Sequence, residues 1–302
     1  MDLSIVIVSF NTKELLKNCL ESIFKSLEKS NLSSEIIVVD NGSKENIKYQ
    51  ILNIKNAYQN SKIKLIENKE NLGFSRASNQ GIKTSKGKYI LLLNPDTVIP
   101  KETLPFMIDF MEKNKKTGIA TCRVELLSGE LDDACHRGFP TPWNALCHFS
   151  GLGKIFSKSK FFNGYHLGYQ DMNKVHEIDA GVGAFLLVRQ KTGNEVGWLD
   201  EDFFWYGEDL DFCFRVKKAG WKVMFVPDVK IIHYKGVASG IKKNSLSISK
   251  ASKETKILAT NARFNVMKTF YNKHYQKKYS KFIQWLVLTA VEIKRRIALL
   301  RI

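Results

Sequence analysis

The first hundred residues alternate short continuous apolar runs with segments whose apolar positions recur at helical spacing. A run of about four to eight apolar residues bounded by turn residues is typical of a buried strand, whereas a period of about 3.6 predicts an amphipathic helix. The predicted strands are Leu3–Ser9, Glu35–Asp40, Lys62–Ile66 and Lys88–Asn94, and the predicted helices are Lys13–Leu27 and Gly73–Thr84. Strands that alternate with helices predict an α/β fold with a doubly wound, mostly parallel sheet.

The pattern is less regular in the second hundred residues. Glycines, aromatics and histidines cluster between Leu126 and Ile178 without a period, and we expect long loops there. After them the pattern predicts a strand at Gly183–Arg189, a helix at Glu208–Ala219 and a strand at Trp221–Val226 that Pro227 ends. Beyond Gly240 helical spacing returns. We therefore divide the chain into residues 1–100, residues 101–240 and a helical tail, residues 241–302.

The charge of the chain is concentrated in that tail. The net charge is +17, and the stretch from Lys235 to the end holds 16 Lys and Arg against 2 acids. A near-neutral body with a basic tail indicates an anionic partner surface, either a membrane or a nucleic acid. The body has no recognisable nucleic-acid-binding motif, so we expect no nucleic acid partner. A basic amphipathic tail fits an anionic membrane surface, or else packs on its own domain or on another subunit of a homo-oligomer.

The cysteines and the chain ends indicate a cytoplasmic protein. The cysteine count is five and no CxxC pair occurs, so neither a zinc site nor a disulfide framework is expected. The apolar run near Ile5 is too short for a secretory signal, and the uncharged run Phe282–Val291 is too short to span a bilayer.

Polar residues follow three of the predicted strands, where parallel sheets collect their ligands. They are Ser9-Phe10-Asn11, Asp40-Asn41-Gly42-Ser43 and Asn94-Pro95-Asp96. An acid such as Asp40 can bind a ribose or a base edge, and Asp96 can hold a divalent cation against a diphosphate. Ordinary turns favour the same residue types. The first turn lacks the glycines of a dinucleotide-binding loop, which excludes a nucleotide-dependent oxidoreductase.

Five blocks of residues together resemble the family 2 glycosyltransferases, in the bacterial rhamnosyltransferase-like branch. The blocks are Ser4–Asn11, Val38–Ser43, Asn71–Asn79, Leu92–Asp96 and Phe203–Arg215, followed by Ala219-Gly220-Trp221 and His233. The resemblance extends from about Leu3 to about Gly236. Each block is weak alone, but their order and spacing are specific. The resemblance implies the GT-A fold and transfer of a sugar in the synthesis of a cell-surface polysaccharide.

The resemblance also implies how the nucleotide-sugar donor, a dTDP- or UDP-sugar, is bound. The residues implied to bind it are Ser9, Asn11, Asp40, Asn41, Gly73, Arg76, Asn79, Asn94 and Asp96. Asp96 matches the last acid of the family's DxD metal motif, but Asn94 replaces the first acid, which leaves one fewer charge on Mg²⁺ or Mn²⁺. His233 matches a histidine that ligates the metal in some relatives. A histidine satisfied by the core is the alternative.

The acid pair Glu208-Asp209 matches the catalytic acids of the family. Inverting transfer needs one base to deprotonate the acceptor hydroxyl, and we assign Asp209 that role, with Glu208 positioning the acceptor or sharing it. Acids that only charge a helix N-terminus are the alternative. Asp211 and Arg215, four residues apart, predict a structural pair.

Relatives act on glycans or lipid-linked acceptors, so we expect an enzyme held by its tail on the inner face of the cell membrane. The alternative is a catalytically weak or non-enzymatic domain with a polyanion-binding tail.

Overall fold

The first half of the sheet is parallel. In the computed structural model, which describes residues 1–58, 62–234 and 252–302, four strands lie in the order β3-β2-β1-β4. They are β1 (Leu3–Ser9), β2 (Ser34–Asn41), β3 (Ile63–Asn68) and β4 (Tyr89–Leu93), and all three pairings between them are parallel. The helices α1 (Lys13–Leu27), α2 (Lys48–Ala57) and α3 (Phe74–Thr84) connect them. Every residue of β1 and β4 is buried, as their continuous apolar runs predict.

The second half of the sheet mixes both directions. Its elements are β5 (Thr97–Val98), α4 (Thr103–Lys113), β6 (Thr117–Leu126), β7 (His176–Ile178), β8 (Phe185–Arg189), α7 (Gln190–Val196), α8 (Glu208–Lys218) and β9 (Lys222–His233). Strand β8 joins the first half by running antiparallel to β4, and β6 then pairs with β8 antiparallel and with β9 in parallel. The three longest ladders of the sheet are parallel, so the predicted mostly parallel α/β fold is confirmed.

The prediction that Pro227 ends the last strand is wrong. Strand β9 continues through Pro227 to His233. The register against β6 shifts there, from Cys122 opposite Val226 to Arg123 opposite Lys230, so the proline lies in an irregularity where its missing N–H costs no ladder hydrogen bond. The longer strand places His233 opposite Thr97, next to Asp96.

The segment between Leu126 and Ile178 is less loop-like than its irregular pattern predicts. It contains a short 3₁₀-helix (Asp133–Cys135), α5 (Pro142–Ser150), α6 (Leu152–Ile155) and β7. The Thr141 side chain caps α5 by accepting a hydrogen bond from the Asn144 N–H, Pro142 occupies the first turn, and Gly151 ends the helix at φ +83°. These are ordinary helix start and stop signals, and they do not depend on the spacing of apolar residues.

The predicted helical tail consists of α9 (Lys253–His274) and α10 (Lys281–Leu299). Helix α9 packs on the catalytic domain: Phe270 and Tyr271 are buried, and His274 Nε2 lies 2.6 Å from Asp211 Oδ1. For this helix, packing on its own domain is therefore the correct alternative. None of the helices in the described residues is long and apolar enough to cross a bilayer. The predicted domain boundary at residues 240 and 241 lies outside the described residues, and the boundary at residues 100 and 101 stays a prediction.

Candidate active site

The loops after β1 and β2 are joined by hydrogen bonds. The Asn11 N–H donates to Ser43 Oγ over 2.9 Å, and Asn11 Oδ1 accepts from the Lys44 N–H over 2.9 Å. Asn11 holds the left-handed conformation at φ +54°, which asparagine tolerates better than most residues. Within the second loop, Asp40 Oδ1 accepts from the Ser43 N–H over 3.1 Å. The predicted nucleotide-binding residues Asn11 and Asp40 therefore belong to one ordered rim.

Ser9 and Asn94 lie at the ends of two adjacent strands. Ser9 is fully buried, and its hydroxyl is 3.0 Å from that of Thr12. The Asn94 carbonyl accepts from Thr97 Oγ1 over 2.8 Å, and the Asn94 N–H donates to the Ala184 carbonyl. Both predicted residues hold the strand ends in place through these bonds.

Asn41 holds the loop that precedes α3. Its Nδ2 donates to Asn71 Oδ1 over 2.9 Å, while its Oδ1 accepts from Asn68 Nδ2 over 3.0 Å and from the Leu72 N–H over 3.1 Å. The side chain is 2% exposed. Since its amide is used within the protein, Asn41 can serve a nucleotide only by positioning this loop.

Gly73 begins α3 at a point of close approach. Its φ is +86°, and a Cβ atom there would lie 2.7 Å from Phe204 Cδ2 and 2.8 Å from the Phe204 carbonyl oxygen. The Phe74 N–H donates to that same carbonyl over 2.8 Å. Only glycine fits this contact, and the contact ties the start of α3 to the loop that leads into the catalytic acids.

Arg76 and Asn79 both reach the segment that contains residues 199 to 201. Asn79 Nδ2 donates to the Leu199 carbonyl over 2.9 Å, and Asn79 Oδ1 accepts from the Leu199 N–H. Arg76 Nε lies 3.2 Å from Glu201 Oε2, with 60% of the arginine side chain exposed. An exposed pair of this kind is weak, so Arg76 keeps its charge accessible to an anionic ligand, whereas Asn79 is a structural bridge.

Asp96, His233 and Asp132 form a buried chain of side chains. His233 Nε2 lies 3.3 Å from Asp96 Oδ1, and His233 Nδ1 lies 3.2 Å from Asp132 Oδ2. Burial lowers the pKa of His233, but the charge of Asp96 and the hydrogen bonds from Asp132 and Asp96 outweigh burial and raise it to about 9. Asp132 is fully buried and was not predicted, because no motif marks it in the irregular segment.

This chain of side chains fits a metal site with two protein ligands. A histidine that ligates a metal usually donates its other ring N–H to a carboxylate, as His233 does to Asp132. A cation at His233 Nε2 would replace the proton now shared with Asp96, and Asp96 would be its second ligand. Mg²⁺ completes such a shell with phosphate oxygens and water. Within the described part of the chain, no group of three or more His, Cys, Asp or Glu side chains is placed to hold a metal.

The predicted catalytic acid pair begins α8, and both carboxylate oxygens of Asp209 accept hydrogen bonds. Its Oδ1 lies 2.9 Å from Arg137 Nη2 and accepts from the Leu210 N–H over 2.7 Å, and its Oδ2 accepts from the Gly183 N–H over 3.1 Å. Three donors of this kind fix the orientation of the carboxylate. Arg137 also lies in the irregular segment, and nothing in the sequence pattern had indicated it.

Glu208 differs from its neighbour. Burial, followed by the nearby charge of Asp209, raises its pKa well above the ordinary value. Its Oε2 atom is buried and has no hydrogen-bond partner among the described residues. The pair therefore holds one carboxylate engaged by three donors, Asp209, and one carboxyl whose neutral form is favoured by burial, Glu208. Acids that only charged a helix N-terminus would be exposed, whereas both of these are 7% exposed.

Two consecutive residues bring the metal-site loop and the catalytic acids together. The Gly183 N–H binds Asp209, and the next carbonyl, that of Ala184, binds the Asn94 N–H over 3.3 Å. Further along α8, Arg215 Nε lies 2.8 Å from Asp211 Oδ2, so the predicted structural pair is confirmed.

The family model described as "Glycosyl transferase family 2" matches residues 4–171. Rhamnosyltransferase WbbL of Escherichia coli (strain K12) is 26% identical over 227 residues, which are 66% of this chain and 82% of that protein. The N-acetylglucosaminyl-diphospho-decaprenol L-rhamnosyltransferase of Mycobacterium tuberculosis is 24% identical over 251 residues, 79% of this chain and 78% of that protein.

Solved structures share the fold at low identity. The mannosyltransferase PcManGT of Pyrobaculum calidifontis, solved with GDP-Man and Mn²⁺, has a TM-score of 0.59 at 13% identity, over 98% of this chain and 71% of that one. S. aureus TarS has a TM-score of 0.54 at 15% identity, over 99% of this chain and 72% of that one. The chain thus belongs to glycosyl transferase family 2, as a rhamnosyltransferase-like member with the GT-A fold that transfers a sugar in polysaccharide or glycan biosynthesis.

Proposed function

We propose that this chain is a metal-dependent hexosyltransferase that inverts the anomeric configuration of a nucleotide-diphospho-sugar. The observation that carries the proposal is the divergent acid pair, in which Arg137 and two N–H groups hold Asp209 while Glu208 is buried without a partner for Oε2. Inversion needs a single displacement and therefore one base in its charged form. Asp209, oriented by Arg137 and two N–H groups, is the proposed base.

The proposed reaction proceeds in one step. An acceptor hydroxyl gives its proton to a carboxylate oxygen of Asp209, its oxygen forms the new bond to the anomeric carbon, and the bond from that carbon to the diphosphate breaks. The nucleoside diphosphate leaves with the electron pair. Glu208, neutral beside Asp209, keeps a second negative charge away from the base.

On the nucleotide side, Asp40 and Asn11 are proposed to bind the nucleoside, and Arg76 the anionic part of the sugar donor. Asp96 and His233 would hold Mg²⁺ or Mn²⁺, which stabilises charge on a leaving diphosphate when bound. Two observations support this: the buried chain from Asp132 to Asp96, and the Mn²⁺ in the solved mannosyltransferase structure.

The relatives suggest the substrates. A dTDP- or UDP-sugar is the proposed donor: two relatives are named rhamnosyltransferases, and S. aureus TarS has been solved with UDP-GlcNAc. The acceptor is proposed to be a glycan or a sugar on a lipid diphosphate, because one of those relatives is named for a diphospho-decaprenol acceptor. Rhamnose is the first sugar to test.

The proposed location is the inner face of the cell membrane. Two points support this location. The chain from Lys235 onward holds 16 basic residues and 2 acids, and the proposed acceptor is linked to a lipid. Helix α9 is packed on the domain, so α10 is the part of the tail proposed to meet the lipid. A homo-oligomer stays a prediction.

A donor screen tests this function. The full-length chain is incubated with dTDP-, UDP- and GDP-sugars, with Mn²⁺, Mg²⁺ or EDTA, and with a lipid-diphosphate-linked sugar or the free sugar as acceptor. We expect transfer from one class of donor, inverted configuration of the product by NMR, and no turnover in EDTA. Nucleotide-induced thermal stabilisation without transfer or donor hydrolysis would favour the non-enzymatic alternative, and retained configuration would refute the mechanism.

A further inference from the structure

Large apolar side chains are exposed mainly in two segments of the described chain. Twelve of the 21 exposed large apolar residues lie in these segments. We call the first the insertion tip, residues 142–162, with Trp143, Leu146, Phe149, Ile155, Phe156 and Phe161 exposed. The second is the outer face of α10, with Phe282, Trp285, Leu286, Ile293, Ile297 and Leu300 exposed. Scattered apolar residues on a surface need no explanation, but clusters mark interaction sites.

The aromatic residues of the insertion tip are held in place by one another. Trp143 Nε1 donates to the Phe161 carbonyl over 2.8 Å, and the two rings lie 4.8 Å apart. The rings of Phe156 and Phe162 stack at 4.8 Å. These contacts keep Phe156 46% exposed and Phe161 63% exposed. The tip therefore presents a preformed aromatic surface.

The insertion tip is also basic. Lys154, Lys158 and Lys160 are exposed between its apolar residues, and no acid occurs from residue 150 to residue 164. A segment in which apolar and cationic side chains are mixed complements a surface that is negatively charged outside and apolar beneath.

Helix α10 has two apolar faces. Val291 is 7% exposed and, with Val287 and Leu288, packs toward the rest of the protein. The outer face lies opposite, since Phe282, Leu286, Ile293, Ile297 and Leu300 fall within one stripe at about 100° per residue. The stripe is about 27 Å long at about 1.5 Å per residue. The one acid of the helix, Glu292, is engaged by Lys268, Arg295 and Arg296.

The two segments are neighbours. Lys294 Nζ of α10 lies 4.1 Å from the centroid of the Phe149 ring in α5. The segment Leu126–Ile178, which contains the tip, also reaches the candidate active site, because Asp132 contacts His233 and Arg137 contacts Asp209. Only a short stretch of chain therefore separates the insertion tip from residues that contact the proposed acceptor side of the site.

We propose that the insertion tip and the outer face of α10 form one surface that docks on an anionic lipid bilayer. The aromatic rings would occupy the interfacial layer, where amphipathic rings are favoured, and the lysines would face the lipid headgroups. The proposal deepens the proposed function and rests on its lipid-linked acceptor, because docking brings that acceptor to the catalytic acids. It adds a segment of the catalytic domain to a membrane contact that the sequence assigned to the tail alone.

Vesicle co-sedimentation tests the surface. The full-length chain is mixed with phosphatidylcholine vesicles that contain or lack phosphatidylglycerol, at low and high salt. The variants are F156S/F161S in the tip and W285S/I293S in α10. The matched control, Y49S/L52S, removes two equally exposed apolar residues from α2. Each test variant should lose at least about tenfold in binding to anionic vesicles, and the control should bind as the wild type does. K154E/K158E, which leaves the aromatic packing intact, should reduce the salt-sensitive part.

Several outcomes would overturn the proposal. The first two are a wild type that fails to bind anionic vesicles and test variants that bind them as the wild type does. The third is a dimer of the wild type in gel filtration that the test variants abolish, because a second copy of the chain would then cover the proposed surface. Donor hydrolysis without acceptor should be unchanged in every variant. Vesicle binding by a chain that shows no hydrolysis with any donor would leave the docking surface standing while the proposed function fails.

Discussion

The proposed nucleotide side and the proposed acceptor side of the site use their polar side chains in different ways. On the nucleotide side, the Asn41 and Asn79 amides bind neighbouring loops with both oxygen and nitrogen. On the acceptor side, Arg137 Nε and Glu208 Oε2 are buried without a hydrogen-bond partner among the described residues. An unsatisfied buried polar atom is costly, and native proteins contain few. The amides of the proposed nucleotide side hold the shape of its loops, whereas the proposed acceptor side leaves two buried polar atoms without a partner among the described residues.

This contrast separates two kinds of functional residue. Asn41 and Asn79 would affect catalysis through the positions of the loops they hold. Asp209 would affect it directly, because it is the proposed base and Arg137 holds it in position. Substitutions on the two sides should therefore differ in what they damage: the fold and donor affinity on one side, turnover on the other.

The largest effect is expected from removing the base. Asp209→Asn keeps the size of the side chain but cannot accept the proton of the acceptor, so kcat should fall by roughly two to four orders of magnitude. Binding of the nucleotide, measured by thermal shift, should remain. A contamination-checked preparation of this variant that turns over near the wild-type rate would show that Asp209 is not the base.

The metal site should give the next largest effect. Asp96→Ala should reduce donor binding and turnover together. Asp132→Asn should raise the metal concentration needed for half-maximal activity by about 10–100-fold, since carboxylates that orient a ligating histidine typically contribute that much. Titration of Mn²⁺ and Mg²⁺ measures both. If Asp132→Asn lowers the melting temperature and leaves the metal requirement unchanged, His233 is a core histidine.

Arg137 is expected to act through Asp209, with a smaller effect. Arg137→Gln removes the donor that lies 2.9 Å from Asp209 Oδ1, so the base loses part of its orientation and kcat should fall while nucleotide binding, measured by thermal shift, remains. Arg137→Lys should recover part of the lost kcat. An equal loss of kcat in both variants, together with an equal loss of melting temperature, would mean that Arg137 only supports the fold.

The sequence predicted the sheet well, for a physical reason. Strands such as β1 and β4 are buried on both faces, so their apolar runs are continuous and easily recognised. Glu208 and Asp209 are adjacent and belong to a motif. The sequence did not predict Asp132 or Arg137, which meet partners 101 and 72 residues away across a segment without periodicity. Their roles come from contacts between distant parts of the chain, which a local pattern cannot contain.

On the nucleotide side, Asn41→Ala should weaken the fold before it affects the chemistry. The substitution removes one of the two acceptors of the Asn68 amide and the acceptor of the Leu72 N–H, a loss of about 1–3 kcal/mol in unfolding free energy. The KM for the donor should rise as the loop before α3 loosens, while kcat at saturation stays near the wild-type value. Denaturant unfolding measures the loss of stability, and donor titration measures the change in KM and kcat. A variant with normal stability and a greatly reduced kcat would show that Asn41 acts in the reaction itself. The two sides would then not differ in the way their polar side chains work.

The smallest effect on activity is expected at Glu208, although it touches the base. If Glu208 works in its neutral form, Glu208→Gln should change kcat by less than about tenfold, far below the effect of removing a positioned base. Its clearer signature is in stability. The pKa of Glu208 is raised in the folded protein, so the stability it contributes is present below its unfolded pKa and is lost as pH rises through the folded pKa. Glutamine has no such proton to lose, and the melting temperature of the variant should gain on that of the wild type as pH rises above the unfolded glutamate pKa of about 4.3. A variant whose stability follows the wild type at every pH, and whose activity falls as far as that of Asp209→Asn, would assign the base to Glu208 instead.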